Sequence, residues 1–117
     1  MKEWDVGLRI WLETKEGFSF GPGQAELLKN IKERLSLRKA AEHMGMSYRR
    51  AWGRLKKMEA TLGSPLVYKA GGNKSGFRLT EFAEHLVQDY EAWVEEVETY
   101  AKDTAKRLLP VANGGRR

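Results

Sequence analysis

Between Ser36 and Leu62 the chain reads SLRKAAEHMGMSYRRAWGRLKKMEATL, and these residues leave few choices of local structure. Ser36 has the side chain to cap a helix whose apolar positions Leu37, Ala40, Ala41 and Met44 recur at helical spacing. Gly45 follows, where helices commonly end in a left-handed residue that glycine adopts without a Cβ penalty. Ser47 then offers a second cap. The helix it opens has an inward set of Ala51, Leu55, Met58 and Leu62, at spacings of four, three and four. Its other faces carry Arg49, Arg50, Arg54, Lys56 and Lys57, with Glu59 as the only acid of that helix.

Small residues where two helices cross, a glycine turn and a basic second helix make a helix-turn-helix, whose second helix enters the DNA major groove. A helical hairpin with a solvated cationic face is the alternative for this stretch alone. Charge adds weight to the first reading. The net charge of +5 suits a polyanionic partner. Between Thr80 and Tyr100, however, there are seven acids and no Lys or Arg. Basic character is therefore concentrated on the other elements, giving one face toward phosphate and another away from it. A length of 117 residues suits one domain, with a core small enough to gain from a partner chain. The absence of cysteine excludes disulfides, thiolate metal sites and cysteine nucleophiles, and fits a reducing cytosol. No stretch approaches the roughly 20 apolar residues of a membrane span, and nothing resembles a signal peptide. The expectation is a cytoplasmic protein without a membrane partner.

The remaining elements arrange themselves around this stretch. Trp4, Val6, Leu8, Ile10 and Leu12 alternate with other residues, which predicts a half-buried strand. Thr14 to Gly17 would turn it, and Phe18-Ser19-Phe20 would return it as an N-terminal β-hairpin over residues 1–20. Trp11 faces away from the core stripe, toward another element or a dimer mate. Gly21-Pro22-Gly23 closes the hairpin, and Ala25, Leu27, Leu28, Ile31 and Leu35 mark a first helix. Residues 21–62 then form a three-helix unit that includes the helix-turn-helix at 36–62. After Gly63, strands at Pro65–Lys69 and Phe77–Leu79 make a wing over 64–79. Its tip, Ala70 to Gly76, is glycine-rich, and its charges are Lys69, Lys74 and Arg78 with no acid. The tip's GGNKSG lacks P-loop spacing. A mobile hairpin loop is the other reading of the wing.

Thr80 can cap a last helix over 80–109. Along it Ala83, Val87, Tyr90, Val94, Val97, Ala101, Thr104 and Leu108 alternate spacings of four and three, with Leu86, Trp93 and Tyr100 widening the stripe. A helix of about 45 Å outreaches so small a domain. Self-association along the seam follows, with Val87, Tyr90, Val94, Val97, Ala101 and Leu108 at the interface of a homodimer. The alternative is a monomer with this helix folded over the N-terminal hairpin. Residues 110–117 are expected to be a disordered tail. The fold class is thus α+β: a winged helix-turn-helix with an N-terminal β-hairpin and a long C-terminal dimerisation helix, one domain over 1–109. His43 and His85 are isolated, and adjacent Glu95 and Glu96 splay around their helix. No catalytic residue, metal or cofactor is predicted, and hence no enzyme.

With the elements placed, a resemblance emerges. Ala40-Ala41-Glu42, Ser47, Leu55, Glu59, the run Leu62-Gly63-Ser64-Pro65-Leu66-Val67 and Leu79-Thr80 resemble the winged helix-turn-helix of the LysR group. Met46-Ser47-Tyr48-Arg49 with Ala51-Trp52, and the glycine-rich wing before Leu79-Thr80, are similar to the DNA-binding domain of the molybdate-responsive ModE regulators. The match covers about residues 21–100 and places Trp52 in the core beside the turn. Two departures stand out. Ala83 replaces a usual glycine. ModE regulators also carry molybdate-binding modules after this domain, whereas the sequence here stops at Arg117. The resemblance therefore lends these residues no oxyanion binding, and the chain is either a stand-alone member or a fragment.

The expected function is a dimeric, sequence-specific, DNA-binding transcriptional regulator with its recognition helix at 47–62 in the major groove of double-stranded DNA. Ser47, Tyr48, Arg49, Arg50, Arg54 and Lys57 would meet the groove and its phosphates, and Lys69, Asn73 and Lys74 on the wing would touch backbone or minor groove. The rivals are a winged-helix protein-interaction module working through the long helix, and a small oxyanion or cofactor carrier. No small-molecule effector is named by the residues.

Overall fold

The helices begin and end where capping chemistry puts them. The computed structural model describes residues 3–71 and 76–114. In chain order it contains β1 (Leu12–Glu13), β2 (Ser19–Phe20), α1 (Pro22–Arg34), α2 (Leu37–His43), α3 (Tyr48–Leu62), β3 (Val67–Lys69), β4 (Phe77–Leu79) and α4 (Glu81–Leu108). A 3-10 turn at Pro110–Asn113 follows. Ser36 Oγ accepts the Lys39 N–H at 3.1 Å, Ser47 Oγ accepts that of Arg50 at 3.1 Å, and Thr80 Oγ1 accepts that of Ala83 at 3.2 Å. Each bond satisfies an amide the helix itself leaves open, typically worth about 1 kcal/mol.

At the other ends, Gly45 and Gly63 take the left-handed conformation, with φ of 69° and 72°. Helix α1 ends differently. Its cap is Leu35, with φ 57°, where a side chain makes that conformation cost roughly 1–2 kcal/mol. The corner is held from outside: Leu35 O accepts the Phe77 N–H at 3.3 Å, and Ser36 bridges to Gly76. The α1–α2 turn is thereby stitched to the wing.

Leu27, Leu28, Ile31, Leu37, Leu55, Met58 and Leu66 are fully buried where α1, α2, α3 and the start of the wing meet. Removing one such leucine side chain typically costs about 2–5 kcal/mol. Alanines at 40, 41 and 51 let α2 and α3 approach closely. β3 and β4 pair antiparallel, Val67 with Leu79, Tyr68 with Arg78 and Lys69 with Phe77. The Thr80 hydroxyl donates to Pro65 O at 2.9 Å, which ties the base of the wing to the start of α4.

The first three turns of α4 belong to this core. Val87 and Tyr90, expected on a self-association seam, are only 7% and 9% exposed within the single chain. That expectation is corrected by their burial, and for Tyr90 by the groups that cover it. Phe20 meets Tyr90 edge-on with ring centroids 5.4 Å apart, and the Tyr90 hydroxyl donates to Ile10 O at 2.9 Å. Past Val94 no residue of α4 is buried, and the helix leaves the body, giving extents of 63 × 32 × 23 Å.

The N-terminal strand also differs from expectation. Only Leu12 and Glu13 pair, with Phe20 and Ser19, and residues 3–11 have no regular secondary structure. Trp4 and Leu12, members of the expected core stripe, are 59% and 61% exposed. The return segment is too short to hydrogen-bond a ten-residue strand, and a strand without a partner has no ladder. Instead Trp4, Asp5 and Val6 line a groove with Lys102, Ala105, Lys106 and Leu109, while Ile10 sits at Tyr90. The segment therefore runs antiparallel beside α4. Residues 110–113, expected to be disordered, form the 3-10 turn, where Asn113 Nδ2 donates to Lys106 O at 3.0 Å. Residues 115–117 lie outside the described residues.

Candidate nucleic-acid interface

Helix α3 is pinned on one side and bare on the other. Ala51, Leu55 and Met58 are buried, and Arg49, Arg50, Lys56 and Lys57 are exposed, with Arg54 half-buried. Ser47 caps its start, and Tyr48 is half-buried beneath Arg38, whose guanidinium carbon lies 4.5 Å from the ring centroid. Arg38 is absent from the residues singled out by sequence. Its position in the first turn of α2 was legible, but only the crossing of α2 over α3 lays it on Tyr48.

The ion pairs of the fold gather between α1 and α4, and only one lies on α3. Among the described residues the ion pairs are Lys29–Glu91 at 2.9 Å, Lys32–Glu84 at 3.6 Å and Lys56–Glu59 at 3.1 Å. The hydrogen bond and charge of Glu91 hold the Lys29 ammonium above the ordinary lysine pKa. The single acid of α3, Glu59, is committed twice, since its other oxygen accepts the Leu66 N–H at 2.7 Å. Arg49, Arg50, Arg54 and Lys57 thus have no carboxylate partner among the described residues.

Two elements flank this cationic face. On one side Arg54, Lys57 and Met58 line a shallow cleft with Gly17, Phe18 and Ser19 of the hairpin. On the other, Trp52 leans on Phe77 of β4 with ring centroids 6.2 Å apart. Trp52 was expected in the core. It is 37% exposed, because it sits beside the inward set rather than on it, and Lys56 Nζ lies 4.4 Å above its ring. Lys69 is exposed on β3, paired in register with the Phe77 that Trp52 touches, so the base of the wing adjoins α3. Asn73 and Lys74 lie outside the described residues.

Away from this face, Val94 is half-buried against the core, Val97 and Ala101 are half-buried along the outer part of α4, and Leu108 is exposed. A groove between α1 and α4 is lined by Glu26, Glu33, Glu91, Glu95 and Glu98 with Lys29 and His43, a setting that repels anions. No helix among the described residues is long and apolar enough to cross a membrane.

Comparison with known proteins gives these features a family. Residues 23–84 match the family described as bacterial regulatory helix-turn-helix protein, lysR family. The chain is 28% identical over 108 residues to the molybdenum transport protein ModE of Azotobacter vinelandii, covering 91% of this chain and 40% of that protein. It is 33% identical over 93 residues to the transcriptional regulator ModE of Haemophilus influenzae, covering 78% and 36%. The chain therefore spans less than half the length of these relatives. Among solved structures it is similar to the CbnR DBD–DNA complex, with a TM-score of 0.57 and 17% identity over 74% of this chain and 95% of that one. The BenM DBD/benA site 1 DNA complex gives a TM-score of 0.54 and 16% identity over 73% and 92%. At such identities the likeness is one of fold, the winged helix-turn-helix. With the helix-turn-helix, the wing and the start of α4 all inside the matched segment, the chain belongs to the lysR family of bacterial regulatory helix-turn-helix proteins.

Proposed function

We propose that this chain is the DNA-binding unit of a dimeric transcriptional regulator, reading duplex DNA in the cytoplasm with α3 in the major groove. The observation that carries the reading is the set Arg49, Arg50, Arg54 and Lys57, fixed on a capped helix and given no acidic partner among the described residues. Cations left unpaired on a rigid surface favour a polyanion, and binding releases its condensed counterions. Arg49 and Arg50 in the first turn read base edges, since arginine matches the O6 and N7 of guanine bidentately. Ser47 and Tyr48 orient that turn, and Arg54 and Lys57 reach phosphates. Lys69, with Asn73 and Lys74 further along the wing, touches the backbone or the minor groove. Two α3 helices related by a two-fold axis through α4, with Val94, Val97, Ala101 and Leu108 between the copies, read an inverted repeat whose half-sites lie about 34 Å apart. The ModE regulators among the relatives and the DNA complexes among the structural neighbours support this reading.

The test is selection of bound sequences from a random DNA library, followed by titration of the selected site at fixed salt. Arg49→Ala and Arg50→Ala are each expected to weaken that site by on the order of 1–3 kcal/mol without changing the melting temperature. Equal binding by wild type and the double variant would remove α3 from the interface.

A further inference from the structure

Gly53 occupies the centre of the cationic face. It is the sixth of the 15 residues of α3. At 3.6 residues per turn it lies about 200° around the axis from buried Ala51, so it faces directly outward. Its surface neighbours on a helix are the residues three and four positions away. These are Arg49, Arg50, Lys56 and Lys57, all four basic and all four exposed.

Nothing among the described residues asks for glycine at this position. Its φ is not positive. A Cβ built on it meets nothing within 4 Å among the described residues beyond its chain neighbours and the backbone of its own helix. Glycine in a helix interior is among the least favourable choices, well below alanine. The protein thus carries a locally unfavourable residue at the most outward point of its recognition helix, where the described residues supply no compensation.

From this, and resting on the DNA-binding reading above, we infer that Gly53 sets how deeply α3 seats in the major groove and is a specificity-determining position. A helix with its side chains is about 10–12 Å across, close to the groove's width of about 12 Å. Depth is therefore governed by what projects from the outward point. With no side chain at residue 53, the helix backbone comes against the base edges. The first-turn arginines reach down to base edges, while Lys57, one turn beyond Gly53, lies within reach of phosphates. A side chain at 53 lifts the helix, and contacts to base edges lengthen before contacts to phosphate do. Specific affinity is lost first.

Gly53→Ala and Gly53→Leu of the full chain test this, with wild type titrated in parallel at one salt concentration. The probes are a duplex carrying the sequence selected by wild type and a duplex of random sequence. The expected result is an unchanged or raised melting temperature for both variants. Affinity for the selected site should fall on the order of tenfold for alanine and further for leucine, the scale of a lost base contact. Affinity for random duplex should change by less than about twofold, because phosphate contacts dominate it. If wild type binds the selected site and both folded variants bind it equally well, the inference is overturned and the DNA reading stands. Equal losses on both duplexes would also overturn it, since the position would then act on phosphate approach alone. If wild type binds neither duplex, the DNA reading itself falls.

Discussion

Helices α3 and α4 open in the same way, on a hydroxyl that accepts an amide three residues on, and each buries a narrow apolar set. Their outer faces differ. The carboxylates of α4 at Glu84 and Glu91 take up Lys32 and Lys29 from α1, so part of the charge on that side is met inside the chain. On α3 only Lys56 has a carboxylate partner among the described residues, and Arg49, Arg50 and Lys57 face solvent. The helices also differ in reach. α3 ends within the body, whereas α4 carries Tyr100 and Leu108 exposed beyond it, with Leu109 exposed just past its end. A shared local plan therefore yields two kinds of surface, and what separates them is which neighbour the fold supplies.

The comparison breaks most visibly at the outer half of α4. Val97 and Leu108 lie outside the buried core cluster, so Val97→Asp with Leu108→Asp should leave the chain folded. Between two copies the same change buries like charges, a cost of several kcal/mol that a dimer does not survive. Sedimentation of the variant is expected to give the monomer mass, with loss of affinity for a paired site. A mass identical to that of wild type would move the interface off this face.

Tyr90 marks where α4 stops serving the core. Burial pushes its phenol above the ordinary tyrosine pKa, with Arg9 opposing in part. The folded chain therefore keeps a proton that the unfolded chain releases. Its contribution is present below about pH 10, the unfolded value, and is lost as pH rises through the folded one. Tyr90→Phe is expected to cost about 0.5–1.5 kcal/mol at neutral pH, through the lost bond to Ile10 O, and to flatten the alkaline fall in stability. Denaturant melts between pH 7 and 11 decide this, and a variant with the same alkaline slope as wild type would contradict the assignment.

The smallest effect separates a met cation from an unmet one. Lys29→Ala, at a surface pair with Glu91, should lower stability by no more than about 1 kcal/mol and leave the salt dependence of DNA binding unchanged. Lys57→Ala should leave stability alone and reduce the slope of log K against log salt by roughly one. A reversed pattern would show that the phosphates lie along α1 and α4 instead.

Much of this arrangement was legible in the sequence because it depends on neighbours in the chain. Caps at Ser36, Ser47 and Thr80, the turn at Gly45, the stop at Gly63 and the inward set of α3 are decided within a few residues, by amides that need an acceptor and side chains that recur each turn. The basic composition of α3 is equally local. Tertiary structure decided what depends on a distant partner. The alternation from Trp4 to Leu12 described a strand only if another strand lay alongside; α4 lies there, and the ladder stops at Leu12 and Glu13. The four-three repeat of α4 showed one apolar stripe but not which surface would cover each part of it, and Phe20 and Ile10 claim Tyr90. Trp52, Arg38 and Gly53 follow the same rule. Periodicity states which way a residue points around its own helix, and only the packing of one element on another determines what it meets there.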